Sequence, residues 1–192
     1  MPSNELERNF NEVIERVGRG RSFDHTSSEP VFYLVFKPNE IIEVKQKLTA
    51  WKSRLKQHGY EVHVFSVAYA IQQILEQAPL RRFWLKGDAE SPLEWRSTNE
   101  SLSTAVQSGL LREQLRSMLD DAAANDKSVV LVTDLEALHP YMRIGQIESQ
   151  LQGCFRVPTI IFYPGTRTGE TRLKFLGFYP EDGNYRSLHI GG

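Results

Sequence analysis

Val31-Phe32-Tyr33-Leu34-Val35-Phe36 is apolar on both of the faces that a strand presents. A strand wetted on one side alternates between polar and apolar residues, whereas one covered on both sides reads as a continuous apolar run. This hexapeptide therefore reads as a buried central strand, and Ser128-Val129-Val130-Leu131-Val132-Thr133 reads the same way. Each parallel neighbour needs a crossover of a dozen or more residues. After Pro38-Asn39, the residues Ile41, Val44, Leu48, Trp51 and Leu55 recur at helical spacing up to Gly59. Tyr60 to Phe65 is a second strand, and Ser66 suits the cap of a helix that carries Val67, Ile71, Ile74 and Leu75 to Pro79.

Outside this unit, Leu6, Phe10, Val13, Ile14 and Val17 predict an amphipathic helix over about 5–17. Gly87, Ser91, Pro92 and Asn99 mark 86–99 as a long loop, and a long helix is expected over about 100–125 with Leu102, Val106, Leu110, Leu115, Met118 and Ala122 inward. A helix starting at Pro140 follows the 128–133 strand, with Tyr141, Ile144, Ile147 and Leu151 inside, and then a strand over Pro158 to Tyr163. Leu173 to Tyr179 and Tyr185 to Ile190 are separated only by turn residues, which predicts a hairpin. The expected architecture is one α/β domain over 1–192, a three-layer sandwich with a largely parallel central sheet finishing in antiparallel C-terminal strands.

The balance of 40% hydrophobic and 24% charged residues is that of an ordinary folded chain, and the formal charge of −1 lacks the strongly basic footprint of a dedicated phosphate binder. The one cysteine, Cys154, permits no internal disulfide and no multi-thiolate zinc site. Met1-Pro2-Ser3-Asn4-Glu5 lacks the basic-then-apolar order of a signal peptide, and no apolar run approaches the roughly 18 residues of a membrane span. The expected compartment is the cytoplasm, with no membrane contact.

Ligands of such sheets bind outside the carboxyl ends of the strands, here Lys37 to Asn39, Ser66, Thr133-Asp134 and Tyr163 to Gly165. Asp134 and Glu136 follow a strand as the magnesium-side acid of a P-loop ATPase does. The loop after Phe36 is Lys37-Pro38-Asn39-Glu40, however, with none of the glycines or the Gly-Lys-Ser/Thr that cradle a triphosphate. The five histidines have no metal-ligand spacing, no Gly-x-Ser-x-Gly occurs, and Cys154 beside Phe155 reads as a packed thiol. No catalytic residue, metal or cofactor is expected.

Two surfaces remain. Lys45, Lys52 and Lys56, joined by Lys47 and Arg54, form a basic helix face that is either solvated or meets an acidic partner or a phosphate backbone, and Gly18-Arg19-Gly20-Arg21 is similar in kind. The C-terminal third concentrates Tyr163, Pro164, Gly165, Tyr179, Asn184, Tyr185 and Arg186, which with Arg143 are candidate partner-binding residues, since aromatics beside arginine anchor interfaces. The residue chemistry points to holding macromolecules rather than to catalysis. A nucleic-acid-binding module and a degenerate P-loop-like nucleotide-binding domain stand as alternatives.

Leu138-His139-Pro140-Tyr141-Met142-Arg143, Pro158-Thr159-Ile160-Ile161-Phe162-Tyr163-Pro164-Gly165, the Leu-x-Phe-x-Gly at 173–177 and Asn184-Tyr185-Arg186 occur in an order and spacing that resembles the BrxB family, a likeness running from Val31 to His189. Family members often carry glycine in the turn after the third strand, where this chain has Thr133-Asp134. The resemblance implies an accessory component of BREX, a bacterial system that methylates host DNA and blocks phage replication. It implies as partners PglZ first, then a DNA methyltransferase and a large ATPase, with direct DNA contact an open expectation. It supplies no catalytic residues.

Overall fold

The computed structural model describes residues 4–19, 29–169, 172–183 and 187–192. In chain order the elements are α1 (Asn4–Gly18), β1 (Val31–Phe36), α2 (Ile41–Gln57), β2 (Glu61–Ser66), α3 (Val67–Gln77), α4 (Arg81–Glu90), α5 (Trp95–Val106) and α6 (Leu110–Ala122). They continue with β3 (Ser128–Thr133), a short 3₁₀ turn (Leu135–Leu138), α7 (Ile144–Gln150), β4 (Thr159–Thr168), β5 (Arg172–Phe175) and β6 (Leu188–Gly191).

The sheet runs β2-β3-β4-β1-β6, all parallel, with β5 antiparallel on the far end of β4. In β1, Phe32, Leu34 and Phe36 point into one layer with Phe10 of α1 and Trp51 and Leu55 of α2, while Val31, Tyr33 and Val35 point into the other. That second layer is built on α3, α6 and α7, with Val106 of α5. Helices on both faces make the expected three-layer α/β sandwich, and the all-buried β1 and β3 account for their apolar runs. Each such side chain adds on the order of 1.5–3 kcal/mol by leaving water.

The C-terminus departs from the expected hairpin. Leu176 (φ 52) and Gly177 (φ 76) turn left-handed and end β5 at Phe175, so the link to β6 spans the whole of 176–187. That length carries the chain across to the free edge of β1, where Phe32 to Val35 pair in parallel with Leu188 to Gly191. Among the described strands only β5 is antiparallel, and Asp182 adds an isolated antiparallel bridge to its Leu173.

The loop expected over 86–99 is instead the meeting of α4 and α5. Trp84 is 8% exposed and its Nε1 donates to Ser101 Oγ at 2.8 Å, which ties the two helices. Gly87 reads as a breaker in sequence, yet it lies within α4, where a Cβ would make only an ordinary 3.7 Å contact with Thr98 Oγ1. Only Ser91–Glu94 lies between the helices. The long helix expected over 100–125 is broken at Gly109 (φ 94), and the break shifts the phase: Leu111 is buried where Leu110 was expected, and Leu110 is exposed. The helix expected from Pro140 begins at Ile144 because the amides of Tyr141 and Met142 close a turn on the Leu138 carbonyl.

Candidate functional site

At the carboxyl edge, β2 and β3 end side by side on Ser66 and Thr133. Ser66 caps α3 by accepting from the Tyr69 amide at 3.2 Å and donates to Asp134 Oδ2 at 2.6 Å. Thr133 Oγ1 donates to the same oxygen at 3.0 Å. From α2, Lys45 Nζ reaches Asp134 Oδ1 at 2.9 Å and Glu136 Oε1 at 2.7 Å. Burial pushes the Asp134 carboxyl upward, but the Ser66, Lys45 and Thr133 hydrogen bonds outweigh it and hold the group below the ordinary carboxylate range. Glu136 chiefly raises the Lys45 ammonium. Asp134 takes the left-handed conformation, φ 60 and ψ 38, at the turn where the resembled family often has glycine. Both its oxygens are spent on the chain's own donors, so this acid works as a corner brace.

The crevice above β1 is covered as well. The chain passes from β1 into α2 through a 3₁₀ turn at Pro38–Glu40. β4 runs past Pro164, the partner of Phe36, and folds back as β5. The Leu176 amide donates to the Pro164 carbonyl at 2.9 Å, and Gly177 lies against Pro38. Among the described residues no three His, Cys, Asp or Glu side chains are grouped to hold a metal. A cleft of about 340 Å³ lies between the α5–α6 turn and α7. Its polar lining is turned on itself: Arg112 donates to Gln150 at 2.7 Å and to Glu113 at 2.9 Å, and Gln107 donates to the Tyr141 carbonyl at 2.7 Å.

The partner-binding candidates separate by burial. Tyr163 is 1% exposed, and Pro164 and Gly165 are buried in β4, so these three are core and not contact surface. A Cβ on Gly165 would stand 2.7 Å from the Tyr163 ring and press on the Lys174 carbonyl, so this glycine lets β5 close on β4. Arg143 and Tyr179 are brought together, the guanidinium 4.7 Å above the ring centroid. His139 shares a 2.5 Å hydrogen bond with the Tyr179 hydroxyl, and Phe178 stacks on Tyr179 at 4.8 Å. Asn184, Tyr185 and Arg186 lie outside the described residues, as do Gly20 and Arg21.

From Tyr179 a ladder of rings runs inward through Phe175, Tyr163 and Tyr33 to His189, each step 5.3–5.6 Å. Tyr33 donates to Glu148 Oε2 at 2.5 Å, and burial raises the Glu148 carboxyl despite that bond, with the Glu29 and Asp182 charges adding to the rise. Burial, helped by the Arg167 charge, lowers His189 to about 4. Of these residues, sequence reasoning missed Glu148. The signal for Glu148 was its place four residues after Ile144 on the inward stripe of α7.

The basic face is mostly neutralised. Lys45 is held as described, Lys47 meets Glu7 at 2.7 Å, and Arg54 meets Glu7 at 2.9 Å. Trp51 Nε1 donates to the same carboxylate at 3.2 Å. Burial raises Glu7, but the bonds from Lys47, Trp51 and Arg54 outweigh it and leave it below its ordinary value. Of the three lysines expected to form a free stripe, only Lys52 and Lys56 lack an ion pair among the described residues.

No helix among the described residues is long and apolar enough to cross a membrane. No curated protein and no solved structure matches the chain. The family model described as BREX protein BrxB matches residues 69–190, starting in α3 rather than at Val31 and taking in all the motifs that carried the resemblance. Covering more than half of the sequence, that match makes the chain a member of the BrxB family of BREX proteins.

Proposed function

We propose that the chain is a non-enzymatic accessory component of a BREX phage-defence system. It works in the cytoplasm by holding other BREX proteins, PglZ first, with the methyltransferase and the ATPase as further partners. The observation that carries this reading is the exposed platform at the end of the ring ladder. Phe178 is 62% exposed, Arg143 covers Tyr179, and the ladder behind them is anchored in the core through Tyr163 and Tyr33. A rigid aromatic group with an arginine on it is the residue set that dominates interface energies, and it meets a partner with little ordering cost. The braced Asp134 corner and the covered crevice above β1 support the non-enzymatic part of the reading.

The test is co-purification of tagged chain with PglZ expressed beside it, followed by the Arg143→Ala/Phe178→Ala double variant. Retention of PglZ is expected, weakened roughly tenfold or more by the double variant. Failure to retain PglZ or any other BREX protein would overturn the reading.

A further inference from the structure

Five of the ten large apolar side chains that stand exposed among the described residues lie between positions 80 and 95: Leu80, Phe83, Leu85, Leu93 and Trp95. Leu93 is 91% exposed, and α4 gives the core only Trp84. Large apolar side chains left exposed this densely over one hairpin, on both flanks of the outer face of α4, point to an interaction surface. On α4, Arg82, Lys86 and Ala89 lie on the side opposite Trp84, flanked by Phe83 and Leu85, as their three- and four-residue spacing requires.

Charge along α4 and the turn that follows it is balanced but segregated. Arg81, Arg82 and Lys86 occupy the first part, and Asp88, Glu90 and Glu94 the second. Lys86 touches Glu90 at 3.7 Å in a loose exposed pair, and Arg82 lies 5.6 Å from the Phe83 ring centroid. A nucleic acid would meet as many carboxylates here as cations, and its interfaces are polar rather than apolar. The surface complementary to a basic-then-acidic helix is the same helix run in the opposite direction.

We propose that the outer face of α4 is a self-association surface on which two copies of this chain pack antiparallel about a twofold axis. With the axis between Leu85 and Lys86, Leu85 packs on the aliphatic stem of the other copy's Lys86, and Arg82 comes within one residue's rise of the other copy's Glu90. Leu80 falls level with the other copy's Ser91, beside the exposed Leu93 and Trp95. The twofold repeats every contact, as an isologous interface requires. One short helix with its flanks is small against the ~800 Å² per partner of a standard interface, so the dimer is weak and concentration-dependent, with a dissociation constant in about the micromolar range. This pairing stands apart from the reading of Arg143 and Tyr179, and either can fail without the other.

Sedimentation velocity on the full chain over a dilution series tests it. A monomer–dimer equilibrium is expected. Arg82→Glu and Glu90→Arg each place two like-charge contacts in the dimer and weaken it by roughly a hundredfold. The R82E/E90R double variant restores pairing, a rescue that a merely structural role would not produce. Circular dichroism confirms that each variant folds. A parent that stays monomeric at the highest soluble concentration overturns the proposal and leaves the face to a different protein. A dimer untouched by either reversal, or one that the double variant fails to restore, overturns it too.

Discussion

Lys45, Lys47 and Arg54 of α2 each end on a carboxylate supplied by another element, whereas Arg81 and Arg82 of α4 meet no acid among the described residues. The two helices also treat their apolar residues differently. α2 sends Val44, Trp51 and Leu55 into the core, while α4 sends in Trp84 and leaves Phe83 and Leu85 outside. Both carry runs of cations in the sequence. Whether such a run is free to meet a partner depends on whether the fold brings acids within reach, and Glu7, Asp134 and Glu136 do this for α2 from far away in the chain. The layer of α1 and α2 is closed except at Ile42, Lys52 and Lys56, and the hairpin of α4 and α5 is open.

The contrast breaks most visibly at Trp51, which is fully buried, stacked on Phe10 at 4.3 Å and on Phe162 at 5.9 Å. Trp51→Ala should cost about 3–5 kcal/mol in urea unfolding. Glu7→Gln removes the charged acceptor shared by Lys47, Trp51 and Arg54, and because the group is about one third exposed the loss should be roughly 1 kcal/mol.

The same variant has a pH signature. Glu7 and Asp134 are both held below their ordinary values of 4.5 and 3.8, so the stability they add is fully present above about pH 4.5 and lost as the pH falls through their lowered folded values. Melting temperatures of Glu7→Gln should therefore fall less steeply on acidification than those of the parent. Lys45→Ala, which leaves Asp134 and Glu136 without their cation, should cost about 0.5–1 kcal/mol by the same unfolding assay. On the open side, Phe83→Ser should change stability by no more than about 0.5 kcal/mol, because that residue is 59% exposed and belongs to neither core layer. A cost near that of Trp51→Ala would erase the distinction between the layers.

Strand and helix content was legible wherever one face or both had to be buried. β1, β3 and α1 follow from local patterns alone because burial writes a period into the chain, and Leu6, Phe10, Val13, Ile14 and Val17 are all buried as their spacing required. The helical character of 86–99 was not legible, because Gly87, Ser91 and Pro92 are breakers by propensity, whereas the burial of Trp84 and its bond to Ser101 tie α4 and α5 together in the fold. The candidate site was half legible. Arg143 and Tyr179 were picked out by residue type and do meet, but Tyr163, chosen for the same reason, is core, since an aromatic ring serves a core or an interface equally well.

The sequence by itself determined a parallel α/β sandwich, because two-faced apolar strands separated by long crossovers have few other solutions. The tertiary structure alone decided that β6 pairs with β1 instead of β5, since strand pairing depends on which edge is open when the chain arrives. It also decided which charges are spent. Glu7 and Lys47 are far apart in the chain, and the 2.7 Å between them exists only once α1 and α2 pack on the same face of the sheet.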